Sequence, residues 1–152
     1  MKIQGGCNCG NIEIDWQPSQ APCAPRACQC DYCISKNASY VSEPNSELSA
    51  KINSSELHRV VQHGTNTADF HECSACNTLV FVSSKIGNET YGVINSICLP
   101  SINFELPINM HFSQESEEER LNRRRQNWCH PVLITITSNG IVKRSRVCQP
   151  LL

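Results

Sequence analysis

The chain has 152 residues, of which 39% are hydrophobic and 18% charged, with a formal net charge of −1. That length suits one domain with a packed core, and it excludes a chain held open by self-repulsion. These values argue against a nucleic-acid binder acting through bulk positive charge, and no nucleic-acid partner is expected, because neutralising phosphates takes clustered Lys and Arg.

Residues 11–16 alternate polar and apolar side chains, the period of a half-buried strand. Pro18, Pro22 and Pro25 then interrupt regular structure as far as residue 28. Short strands are expected at Tyr40-Val41 and at 57–62, the second stopped by Gly64. Segments 68–72 and 79–82 flank a Cys-x-x-Cys, and 91–97 is β-rich. No stretch before residue 110 has a convincing 3.6-residue apolar period, so the body is expected to be mostly β. In 113–127, Glu115, Glu117, Glu118 and Glu119 precede Arg120, Arg123, Arg124 and Arg125. Acid first and base last suits a helix dipole, and Glu119 with Arg123 forms an i,i+4 pair. Only Leu121 and Trp128 are large and apolar here, so a solvated helix or mobile loop is expected. The glutamates weaken the reading of an arginine patch for an anionic partner. Two β-prone runs, 132–137 and 141–147, flank Ser138-Asn139-Gly140, and Asn-Gly between such runs signals a hairpin.

The chain carries eleven cysteines. Seven fall in three tight groups: Cys7 and Cys9; Cys28, Cys30 and Cys33; Cys73 and Cys76. Residues 1–7 hold no apolar stretch of the kind a secretory signal needs, and nothing reaches the roughly 18 apolar residues of a membrane span. A cytoplasmic protein with reduced thiols is therefore expected, and there clustered cysteines bind metal or do chemistry. The sequons at Asn37, Asn53 and Asn88 are read as chance matches. Cys98 is read as a small buried hydrophobe, and Cys129 and Cys148 as simple thiols. Trp16 and Trp128 are read as packing groups.

Zinc sites with thiolate ligands are built from closely spaced cysteine pairs. Cys7, Cys9, Cys73 and Cys76 supply four sulfurs, which close a tetrahedral shell and define a structural site. Such a clamp across more than sixty residues would support a small β protein. Cys28, Cys30 and Cys33 supply three sulfurs with no obvious fourth, the pattern of a zinc with an open position. Cys23, His58, His63 and His71 are the candidates to close it. Zinc held by three thiolates carries a net charge near −1, acidifies water weakly, and suits a soft ligand such as a substrate thiolate. Chemistry on sulfur is the expectation, with a small-molecule thiol and a carbon electrophile as partners. An iron–sulfur centre on Cys23, Cys28, Cys30 and Cys33 matches none of the usual cluster spacings.

The order Gly6-Cys7-Asn8-Cys9-Gly10, Cys28-Gln29-Cys30-Asp31-Tyr32-Cys33 and Phe70-His71-Glu72-Cys73-Ser74-Ala75-Cys76-Asn77 resembles the glutathione-dependent formaldehyde-activating (GFA/CENP-V) family. The likeness spans about residues 2–112, with His111-Phe112 as the last strand. It implies a β-tent of small antiparallel sheets leaning together around zinc. It implies two zinc ions: a structural one on Cys7, Cys9, Cys73 and Cys76, and a second on Cys28, Cys30 and Cys33, where glutathione acts. The implied activity is that of a carbon–sulfur lyase joining formaldehyde and glutathione; the alternative is a non-catalytic, zinc-stabilised binding or chaperone-like module. Asn8 and Gln29 replace the usual histidines and are read as supporting or packing groups. Asn77 replaces the usual glycine and tolerates the left-handed conformation better than most residues. Asp31, His58 and His71 are the candidate general bases, and Arg26, Lys36 and Arg59 the cations available to glutathione carboxylates. On this reading residues 1–112 form the zinc-binding domain. Residues 113–152 form an extension of charged segment plus hairpin, packed on the same domain.

Overall fold

The computed structural model describes residues 1–20, 24–138 and 141–144. Two sheets carry the fold. The five-stranded sheet runs β1 (Ile3–Gly6), β2 (Ile12–Gln17), β5 (Glu47–Ile52), β11 (Val132–Ser138) and β12 (Ile141–Arg144). The seven-stranded sheet runs β10 (Ile108–Met110), β3 (Arg26–Cys28), β4 (Tyr40–Val41), β9 (Glu89–Asn95), β8 (Thr78–Ile86), β7 (Asp69–Cys73) and β6 (His58–Val61). The protein is mostly β, as expected.

The alternation at 11–16 becomes β2, with Ile12, Ile14 and Trp16 buried and Glu13 and Gln17 exposed. β5 has the same pattern, burying Leu48, Ala50 and Ile52, and it pairs with β2 from Ile12↔Ile52 to Gln17↔Glu47. Its alternation of Leu48, Ala50 and Ile52 follows Pro44-Asn45, a strand signal beyond the elements expected from the sequence. The sheets are not purely antiparallel: β11 runs parallel to β5, and β10 parallel to β3. Both pairings join segments far apart in sequence, so no hairpin turn sets their direction. The last strand of the region read by resemblance is Ile108–Met110, and His111-Phe112 lies just past it. β11 and β12 pair antiparallel, as the hairpin signal requires, while Asn139-Gly140 lies outside the described residues.

The core has two parts. Trp16, Leu48, Phe81, Ile94, Leu99 and Ile134 belong to the larger. Cys98 and Cys129 are buried in it as small hydrophobes. The smaller gathers Cys33, Tyr40, Leu79, Val82, Val93 and Trp128. Within β8, Leu79 to Ser84 are all buried, so this strand is covered on both faces.

Two α-helices are present among the described residues. α1 (Asp31–Ser35) is a single short turn. α2 (Glu117–Asn127) replaces the expected solvated helix or loop with a helix docked on β8 and β9. Ser116 caps it: the Ser116 hydroxyl accepts from the Glu119 amide, and the Glu119 carboxylate accepts from the Ser116 amide. That reciprocal pair satisfies two backbone donors that a helix start otherwise leaves open. No helix among the described residues is long and apolar enough to cross a membrane.

Candidate metal centres and the adjoining cavity

Cys7 and Cys9 sit in the turn between β1 and β2. The turn closes through Gly10 N donating to Cys7 O at 3.1 Å and Cys7 N to Ile12 O at 3.1 Å. Cys73 ends β7, and Cys76 lies in the tight turn before β8. Asn77 completes that turn at φ +56°, the left-handed conformation expected of it. Its side-chain oxygen accepts from Lys36 Nζ and Arg59 Nη2, each at 2.9 Å.

The four sulfurs lie within 4.8 Å of one another, with Cys7–Cys9 at 3.7 Å and Cys9–Cys73 at 3.4 Å. A tetrahedral zinc with bonds of about 2.3 Å places its sulfurs roughly 3.8 Å apart, so the donor set and its spacing fit zinc. The Ile12 amide donates to Cys7 Sγ at 3.3 Å, and the Thr78 hydroxyl lies 3.1 Å from Cys76 Sγ. Burial pushes Cys73 up to about 12. Burial also raises Cys76, but the Thr78 hydroxyl and the Cys9 amide prevail and hold it at about 6. The metal-free set shares its protons unevenly, and a divalent cation would replace them.

Cys28 ends β3. Cys30 is the N-cap of α1, its sulfur accepting from the Cys33 amide at 3.4 Å. One turn of helix thus aims Cys30 and Cys33 toward Cys28, and all three sulfurs lie within 4.8 Å of one another. Among the described residues no histidine or carboxylate joins this group. Cys23 lies outside the described residues. The Cys33 thiol shares its proton with Cys28, which lowers Cys28 to about 5 against its burial. That shared proton and burial push Cys33 far up, although the Tyr40 hydroxyl, 3.1 Å from its sulfur, opposes them. Three soft donors on one side of a cavity suit zinc with a place left open.

The cavity measures about 370 Å³. Cys28, Cys30 and Cys33 line it, together with Tyr40, His63, Phe70, Trp128 and the arginines at 26, 120, 123 and 124. Among the described residues, no acidic side chain lines it. His63 lies against Tyr32 and Phe70, with ring centroids 4.6 and 4.5 Å away. Its Nε2 is buried without a hydrogen-bond partner. Burial lowers its pKa, partly offset by the charge of Cys28.

The other sequence candidates go elsewhere. His58 Nε2 meets His71 Nδ1 at 3.0 Å, His71 Nε2 meets Ser83 Oγ at 2.7 Å, and neither ring lines the cavity. They sit diagonally on the paired strands β6 and β7, with His58 opposite Cys73 and His71 opposite Val60, so they form a structural chain instead of facing the three cysteines. Asp31 is exposed at the start of α1. Lys36 and Arg59 are spent on Glu72, at 3.4 and 2.6 Å. Burial raises the Glu72 pKa, but bonds from Tyr32 and Arg59 outweigh it and hold the carboxylate below its usual range. Gln29 donates to Ala27 O at 3.0 Å and Asn109 Oδ1 at 3.3 Å, the supporting role expected for it. Three arginines of α2, Arg120, Arg123 and Arg124, line the cavity, although the preceding glutamates weaken the arginine-patch reading of the sequence. Helical spacing alone does place 120, 123, 124 and 127 on one face.

The family model described as glutathione-dependent formaldehyde-activating enzyme matches residues 2–106. No curated protein matches the chain. Among solved structures, the chain is similar to a Rhodobacter sphaeroides protein determined as a structural-genomics target. The two share 24% identity and a TM-score of 0.57, over 71% of this chain and 100% of that one. That likeness concerns the fold. α2 and everything after it lie beyond the family match.

Proposed function

The chain belongs to the glutathione-dependent formaldehyde-activating enzyme family, and from that premise we propose that it is a zinc-dependent carbon–sulfur lyase acting on a glutathione adduct. The observation that carries this reading is the group of three cysteines on the wall of an acid-free cavity. Cys28, Cys30 and Cys33 would hold the reactive zinc, while Cys7, Cys9, Cys73 and Cys76 would hold a structural one. Zinc bound by three thiolates supplies a soft position that favours a fourth sulfur in its ionised form.

The residues of the chain would do the rest. His63, neutral because burial lowers its pKa, would take the thiol proton. The sulfur would add to the carbonyl carbon of formaldehyde, forming the C–S bond. The carbonyl oxygen would take the proton back, giving the hydroxymethyl adduct, and the reverse sequence would release formaldehyde. Phe70 and Trp128 line the cavity and would limit water there. A reduced, cytoplasmic setting belongs to the same reading, because three free thiolates must persist.

The test is a zinc-loaded preparation assayed by NMR for exchange between free and glutathione-bound formaldehyde. Exchange faster than the uncatalysed background that disappears in Cys30→Ser is expected. A wild-type protein with two zinc ions and only background exchange would overturn the lyase reading.

A further inference from the structure

We infer that Arg124 of α2 receives a carboxylate of the thiol compound that the cavity takes. The inference rests on the reading of the three-cysteine wall as a thiol site. It adds a carboxylate-binding residue outside the matched part of the family.

Arg124 is only 7% exposed. Its Nη1 donates to Thr67 O at 3.2 Å, Thr67 Oγ1 at 2.9 Å and Ser84 Oγ at 3.1 Å. Its guanidinium stands 5.0 Å from the Trp128 ring centroid. Its Nε is buried without a partner, and among the described residues no carboxylate forms an ion pair with it. The neighbouring arginines differ. Arg123 makes a two-pronged pair with Glu115 at 2.7 and 3.0 Å, and Arg120 approaches the same carboxylate at 3.7 Å.

A buried cation without a counter-ion is costly, and proteins keep one where something else supplies the charge. A purely structural Arg124 explains the bonds of one nitrogen. It leaves the charge without an ion pair of its own, because Glu115 acts on it only from a distance while pairing with Arg120 and Arg123. The Thr67 and Ser84 oxygens fix the guanidinium in place, so an arriving carboxylate meets an ordered donor. The cavity is therefore polarised, with sulfur donors on one wall and a buried cation on another. A thiol carrying a carboxylate matches both.

The test is calorimetric binding to the zinc-loaded full chain. Its probes are S-methylglutathione, the diethyl ester of S-methylglutathione, and glutathione itself. The wild type is expected to bind S-methylglutathione roughly tenfold or more tightly than its ester, the scale of one charge-assisted hydrogen bond. Arg124→Gln is expected to abolish that preference, and Arg124→Lys to keep part of it. Equal affinity for acid and ester in the wild type overturns the inference without any variant. A preference that survives in folded Arg124→Gln overturns it as well. The thiol reading fails separately: glutathione binding no more tightly than S-methylglutathione would remove the sulfur–metal contact while leaving the carboxylate site intact.

Discussion

Tyr32 donates its phenolic hydrogen to Oε2 of Glu72, so the residue before Cys33 is bound directly to the residue before Cys73. Glu72 is 2% exposed, and Arg59 Nε donates to its other oxygen at 2.8 Å. The two cysteine groups are thereby braced against each other through one buried carboxylate.

Glu72→Gln weakens that brace. The amide keeps the shape but loses the charge that answers Arg59 and Lys36. A loss of about 2 kcal/mol is expected, the value of hydrogen bonds to a charged group. Chemical denaturation of the zinc-loaded variant measures it, and an unchanged midpoint would show that Tyr32 and Arg59 find other partners.

The two cysteine groups are expected to respond differently to mutation. Cys73→Ser is expected to lower the proposed two zinc ions per chain to one and to destabilise the fold strongly, because a closed structural site contributes directly to folding. Cys30→Ser also removes one zinc, yet leaves a folded protein that no longer binds glutathione through sulfur. Native mass spectrometry and far-ultraviolet circular dichroism on both variants separate these outcomes.

Gly5 is expected to resist any side chain. A Cβ there would stand 1.9 Å from the carbonyl oxygen of Cys98, so Gly5→Ala must push β1 away from the turn at Ser96–Cys98. β1 leads directly into Cys7. A destabilisation of about 2 kcal/mol or more is expected, as for an overfilled core, together with faster zinc loss to a chelator. Unchanged zinc release would show that the turn holding Cys7 and Cys9 is independent of β1.

Ser116→Ala removes the hydroxyl that caps α2 and breaks the reciprocal pair with Glu119. About 1 kcal/mol of stability is expected to go with it. Because α2 carries Arg124, affinity for S-methylglutathione falls with it, while the zinc content stays at two. Hydrogen exchange across 117–127 reports the loosening directly.

The local chemistry of this protein is legible in its sequence. Spacings of one and two residues bring the sulfurs within each pair and within the triplet together, while the tertiary fold joins Cys7 and Cys9 to Cys73 and Cys76. The alternation at 11–16 becomes β2 because a period of two puts one face of a strand in the core. Asn77 takes the left-handed turn that its short polar side chain tolerates.

Long-range placement decided the rest. Of the three histidines considered for the open site, His63 reaches the cavity because the β6–β7 loop turns it there. Register instead locks His58 and His71 into a chain ending on Ser83. The arginines after residue 119 look like a solvated face when read along the chain, since glutamates precede them. Only the docking of α2 on β8 buries Arg124 beside the cavity and assigns Glu115 to Arg120 and Arg123. Short-range pattern reports which atoms can meet within a turn. Whether a charge ends in water or in a cavity depends on what covers it, and here that cover is a strand more than thirty residues away in sequence.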